Sequence, residues 1–333
     1  MSNRLADIDI AKGICIGLVV IGHYIPANSP KWYLTLIEVI YCFHMPLFMV
    51  ASGFIYQATL KPVPYPKFVW KKFKRLVIPY FLVSWFIIGI KLLTEKNMYV
   101  ENPVSLSSFY EILYIPSAGY FLWFVYVLFL VFLIIPFFRS SRKINVLLFV
   151  SFVWLIIPVQ TTDLFCIAQL KSNLFYFVAG CFMSQYQSII RPKVEKIPVI
   201  SLLCGFVVLF LLTRVYNDLS IPVVLKSIYV CLALTGIGIT VKISQYFALH
   251  TQKIKHVFVK LAFYSYTIYL FHTSFEGLAK SFFVKYPLTG YAGYSISFLI
   301  TVLVTVSIGI VGPIFLHQFY LIGKKIVKNR KLQ

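Results

Sequence analysis

Apolar residues in this chain fall in long blocks separated by short polar breaks; they do not alternate with the period of a half-buried strand. A block of about 20 apolar residues in helical form spans the hydrocarbon core of a bilayer. Ten such blocks are legible, at residues 8–26, 34–58, 73–93, 118–138, 144–160, 164–186, 197–213, 222–242, 258–280 and 292–320. In lipid every backbone N–H and C=O must be satisfied internally, which leaves helices as the natural reading of unbroken apolar blocks. The pattern predicts an all-α integral membrane protein, a bundle of about ten transmembrane helices. The longest break expected outside, residues 94–117, carries Pro103, Pro116, Glu95, Glu101 and Glu111 and is too short for a soluble domain. The 333 residues therefore read as one transmembrane domain, with no fused extracytoplasmic domain.

Composition agrees: 60% of residues are hydrophobic and only 12% charged, with a mean hydropathy of +0.85. The formal net charge of +21 would suggest nucleic acid in a soluble chain. Here the cations sit in short runs between apolar blocks, and 22 of the 31 Lys and Arg fall at the termini and in the loops after the second, fourth, sixth and eighth blocks. Six lie on the opposite side, and Lys12, Lys171 and Lys226 lie inside blocks. That bias predicts both termini in the cytoplasm and excludes nucleic acid as a partner. Asp7 and Asp9 spoil the basic start of a signal peptide, so the first block reads as an uncleaved span. The six cysteines show neither a C-x-x-C pair nor metal-ligand spacing, and no metal site is expected.

Ionisable groups at membrane depth are costly and draw attention to themselves. Lys12 and His23 are eleven residues apart, which places them within about 20° of one helix face and roughly 16 Å apart along it. Asp9 is three residues from Lys12, close enough to pair with it. In the second block His44 precedes Pro46 and the Ser52-Gly53 pair, a combination expected to bend and loosen the helix. In the ninth, Ser265, His272 and Glu276 share a face, and a carboxylate one turn from an imidazole can fix its tautomer. Lys171 stands in the sixth block. The stretch "KFVWKKFKRLVIPY", residues 67–80, concentrates Lys71, Lys72, Lys74 and Arg75 on the cytoplasmic side, where a phosphorylated ligand could be gripped. No phosphate-binding glycine loop, nucleophile elbow or H-E-x-x-H helix is present.

Five segments, "DIAKGICIGLVVIGH" (9–23), "FHMPLFMVASGF" (43–54), "WKKFKRLVIPY" (70–80), "FLWFVYVLF" (121–129) and "SYTIYLFH" (265–272), taken in order, resemble acyltransferase family 3, in particular its fucose 4-O-acetylase-like branch. The resemblance implies a cytoplasmic acetyl-CoA donor, with no permanently bound cofactor, and a sugar hydroxyl of a cell-envelope glycan as acceptor. It also implies a multi-pass protein of the bacterial cytoplasmic membrane, with glycan-assembly proteins as partners. The R-x10-H signature of that family falls on Lys12 and His23; lysine keeps the charge of arginine but loses its bidentate fork. The basic K/R-x-x-R motif falls on Lys72 and Arg75, implying contact with the donor's phosphates.

On these grounds His23 is expected as general base, with His44 and His272 orienting or stabilising and Glu276 tuning His272. Lys12 would guide the pantetheine arm, and Lys72 and Arg75 would bind the donor. Trp123 and Tyr120 would stack on the sugar, with Lys171 beside the acceptor. The competing class is a transporter or flippase of lipid-linked sugars, since many spans with buried ionisable groups also describe carriers.

Overall fold

The computed structural model describes residues 3–26, 29–95, 103–218, 221–286 and 293–330. Lys96, Glu101 and Lys331 lie outside the described residues, as do the side chains of Arg4, Lys324, Lys325, Lys328 and Arg330. Among the described residues all regular structure is helical. The helices are α1 (Asn3–His23), α2 (Lys31–Ala58), α3 (Tyr65–Lys72), α4 (Ile78–Thr94), α5 (Ser108–Glu111), α6 (Trp123–Ile134), α7 (Ser141–Ile156), α8 (Ile167–Gln185), α9 (Gln187–Lys196), α10 (Val199–Asp218), α11 (Pro222–His250), α12 (Gln252–Lys285) and α13 (Gly293–Arg330). Each of the ten predicted blocks coincides with one of them. Seven helical segments, 31–58, 65–94, 120–137, 164–185, 199–217, 222–250 and 296–322, are long and apolar enough to cross a membrane. The other three are α1, which carries Asp7, Asp9 and Lys12, α7 with only 16 residues, and the more polar α12.

Two local features depart from the sequence pattern. The third block starts earlier than predicted, because α3 and α4 are joined through a π-helical turn at Phe73–Val77, where the Ile78 N–H reaches back to the Phe73 carbonyl. Pro79 offers no N–H to the carbonyl one turn before it and would crowd it, and a widened turn relieves both problems. The second block is not broken at Pro46: α2 is helical throughout. Gly53 serves packing there. A methyl group at residue 53 would lie 1.9 Å from the Phe177 carbonyl oxygen, and one at Gly180 would lie 2.0 Å from that of Val50. Helices α2 and α8 thus cross backbone against backbone, and the Cys181 thiol donates to the Gly53 carbonyl at 3.3 Å.

The chain packs as two units, residues 1–41 with 247–333, and residues 42–246. In the first, α12 lies against both α1 and α13. Gly13 sits where a methyl group would lie 2.1 Å from the Phe258 carbonyl oxygen, so α1 and α12 approach closely there, while Gly17 faces open space. Beyond α1, Tyr24, Tyr33, Ile37, Ile40, Phe298 and Val302 form a buried cluster. The carbonyls at the end of α1 have no partners within the helix. Tyrosines supply them: Tyr33 donates to the Tyr24 carbonyl at 2.7 Å and Tyr41 to that of Gly22 at 2.8 Å.

In the second unit α8 is the most deeply buried helix, packed against α6 and α7. It starts after Phe165 and Cys166, both left-handed with φ of 56° and 54°, a conformation unfavourable for residues with a Cβ. The Phe165 N–H donates to the Tyr114 carbonyl at 2.7 Å, tying this turn to the segment that follows α5.

Candidate active site

The first unit brings two of the predicted histidines together. His23 ends α1, and its Nδ1 bonds the Val19 carbonyl at 2.8 Å, one turn back. A carbonyl oxygen only accepts, so the proton of the neutral ring is on Nδ1 and the lone pair on Nε2. His272, in the middle of α12 and 0% exposed, is fixed in the same way. Its Nδ1 bonds the carbonyls of Tyr269 at 2.9 Å and Ile268 at 3.1 Å, again leaving the lone pair on Nε2. The rings meet edge to face, with centroids 5.0 Å apart and planes at 80°. Tyr41 stands edge-on to His23 at 6.4 Å, and the Tyr269 ring lies 6.2 Å from that of His272.

Glu276 follows His272 by one turn on α12. The Nδ1 proton of His272 is held by the backbone of its own helix, which fixes the tautomer without a carboxylate. Glu276 is 4% exposed and fits a notch on α13. A methyl group at Gly309 would lie 2.9 Å from its Cγ, 3.0 Å from its Oε1 and 3.0 Å from Val20 Cγ1. Its carboxyl is within electrostatic reach of the hydroxyls of Tyr24, Tyr33 and Tyr41, and its buried Oε1 accepts no hydrogen bond. Ser265 is turned to its own backbone, donating to the Ala262 carbonyl at 2.8 Å. Lys12 lies three turns below His23 on α1, within reach of the Asp9 carboxylate.

The other sequence candidates belong to the second unit. His44 is buried in α2. Lys171 is 3% exposed, and its ammonium donates to the Ile157 and Val159 carbonyls at 2.8 and 2.7 Å, at the end of α7. Two of its three protons therefore bind backbone, a use the sequence did not suggest. Tyr120 is exposed and accepts a hydrogen bond from Gln169, whose amide also donates to Asp163 at 3.3 Å. Trp123 opens α6 with its ring edge-on to Phe124. The Lys72 ammonium sits 3.5 Å from the centroid of the Phe132 ring, and Arg75 is exposed on the π-helical turn. Tyr41 and Gly309 join the histidine site without any local signal in the sequence, because nothing near them announces which helix they will face.

A model of the acyltransferase domain that defines family 3 matches residues 5–312. Nodulation protein NolL of Mesorhizobium japonicum is 27% identical over 150 residues, which is 44% of this chain and 39% of the relative. Nodulation protein NolL of Sinorhizobium fredii is 36% identical over 83 residues, 23% of each chain. The matched stretch thus spans about two fifths of one relative and a quarter of the other. No solved structure shows significant similarity. With the domain model covering nearly all the residues that carry the helices and the histidine pair, the chain belongs to acyltransferase family 3.

Proposed function

We propose that this protein is a membrane O-acetyltransferase, moving acetyl from cytoplasmic acetyl-CoA to a sugar hydroxyl of a cell-envelope or extracellular polysaccharide, or of its lipid-linked precursor. The observation that carries the proposal is the His23–His272 pair, two neighbouring imidazoles each with Nδ1 bonded to a backbone carbonyl and Nε2 bearing the lone pair. Acetyl transfer needs a base for the hydroxyl proton at the moment the oxygen attacks. The hydroxyl oxygen adds to the thioester carbonyl carbon while its proton passes to His23 Nε2. The C–S bond then breaks, the ester remains, and the thiolate takes up the proton from the imidazolium. His272 supplies a second imidazole against the ring that carries the transient charge, and the Val19 carbonyl keeps His23 in the productive tautomer.

The proposal includes ten spans in a bacterial membrane with both termini in the cytoplasm, the orientation that the distribution of Lys and Arg favours. The donor's phosphates are assigned to Lys72 and Arg75, with Lys12 guiding the acyl arm. Tyr120, Trp123 and Lys171 are assigned to the acceptor side, and the sugar class rests on the resemblance of the five segments. Mass spectrometry of envelope glycans from cells with and without the protein tests it. Loss of one acetyl group per acceptor is expected on deletion, and purified protein should release free CoA only when acceptor is present. Movement of glycan without consumption of acetyl-CoA would instead establish a carrier.

A further inference from the structure

One end of the second unit holds cations around an aromatic box. Tyr56 near the end of α2, Phe68 of α3, Phe132 of α6 and Phe177 of α8 have ring centroids 5.7 to 6.1 Å apart. Tyr65 pins α3 to the end of α6, donating to the Leu133 carbonyl at 3.0 Å with its ring 5.0 Å from that of Phe137. This pinning draws the Lys72 ammonium inward over Phe132 at 3.5 Å, with Phe68 at 5.4 Å. The charged groups acting on it are Arg75 and Lys71, both cations. From the segment after α6, the Arg139 guanidinium comes beside the Tyr56 hydroxyl. Tyr56 is 8% exposed, and its hydroxyl makes no hydrogen bond of normal geometry.

Cations drawn together and partly desolvated repel one another, and an ammonium over an aromatic face is only partly compensated by the ring. A multiply charged anion relieves both terms. An ammonium, a planar guanidinium and a phenolic O–H converging from three segments match the oxygens of a phosphate group, with arginine supplying the fork.

We infer that Tyr56 and Arg139 complete, with Lys72, a binding site for a phosphate of the donor nucleotide. The inference rests on the acetyl-CoA reading above and adds two residues that the basic motif at 72–75 does not contain. The same chemistry could be met by the phosphate of a membrane lipid, and the experiment separates the two sources.

Arg139 is exposed and Tyr56→Phe removes a single oxygen, so both variants should keep the fold. Binding of labelled CoA to the full-length protein in nanodiscs of zwitterionic lipid is read by equilibrium dialysis. Charge-assisted contacts of this kind predict a Kd raised about tenfold in Arg139→Gln and severalfold in Tyr56→Phe. The KM for acetyl-CoA should rise in parallel while kcat stays within about twofold, as expected for contacts made equally in ground and transition states. Adenosine 3′,5′-diphosphate should displace labelled CoA from the wild type and do so less well from Arg139→Gln. Unchanged CoA affinity in both variants overturns the site, whether or not the wild type transfers acetyl. Variants that lose only a dependence on added anionic lipid, with CoA affinity intact, assign the cations to headgroups and overturn it equally. Absence of CoA binding to the wild type overturns both this site and the acetyl-CoA reading.

Discussion

His23 and His272 stand edge to face with ring centroids 5.0 Å apart, and each is held through Nδ1 by a carbonyl of its own helix. The relationship joins the end of α1 to the middle of α12, with the Nδ1 of each ring committed to backbone.

The shape of His272 permits a test of which nitrogen matters. Asparagine places its amide near the position of Nδ1, and glutamine reaches that of Nε2. His272→Asn should keep the backbone hydrogen bond yet lose about 100-fold in kcat, within the usual range for an acid–base group. His272→Gln should retain more activity than His272→Asn. The reverse order, measured by steady-state acetyl transfer with both variants equally folded, would show that His272 serves through Nδ1.

Gly309 should be intolerant of a methyl group, because one would lie 2.9 Å from Glu276 Cγ and 3.0 Å from both Glu276 Oε1 and Val20. Overpacking of this kind costs about 1–3 kcal/mol. Gly309→Ala is expected to lower both thermal stability and activity. Gly277→Ala is its control, since nothing lies within 4 Å of a methyl group there. A Gly309→Ala protein as stable and active as the control would contradict the notch.

Lys171 joins α8 to the end of α7 through two carbonyl bonds. Lys171→Met removes both donors, and charged hydrogen bonds of this type predict a loss of about 2–4 kcal/mol in stability. Thermal unfolding in detergent measures it. If Lys171 also contacts the acceptor, acceptor KM should rise at temperatures where the variant remains folded; an unchanged KM would confine it to its structural task.

The helices were legible because a bilayer demands about 20 consecutive apolar residues, a signal strong enough to survive single charges such as Lys12. Local exceptions were harder. Pro46 stands inside a helix that continues through it, whereas Pro79 coincides with a widened turn that no apolar pattern reveals. Each histidine was visible alone as a polar residue in an apolar block. Their meeting depends on the contact of α1 with α12, and the placing of Glu276 on a glycine of α13, neither of which is encoded locally. The role of Lys171 was hidden for the same reason, since its partners are backbone carbonyls of another helix.

The proposed orientation rests on charge alone and can be checked by chemistry. Single cysteines replacing Ser140 and Pro158, introduced into a cysteine-free background, flank α7 on opposite sides. A membrane-impermeant thiol reagent applied to intact spheroplasts should label the Pro158→Cys protein and spare Ser140→Cys until the membrane is opened. Labelling of the two in the opposite order would invert the proposed topology.

His23 is proposed to take the proton of the acceptor hydroxyl. Purified protein supplied with radiolabelled acetyl-CoA and glycan acceptor tests it most directly, comparing wild type with His23→Ala. Loss of a general base predicts transfer slowed by about 10²- to 10⁴-fold, with CoA binding retained. Transfer by His23→Ala at the wild-type rate would contradict it.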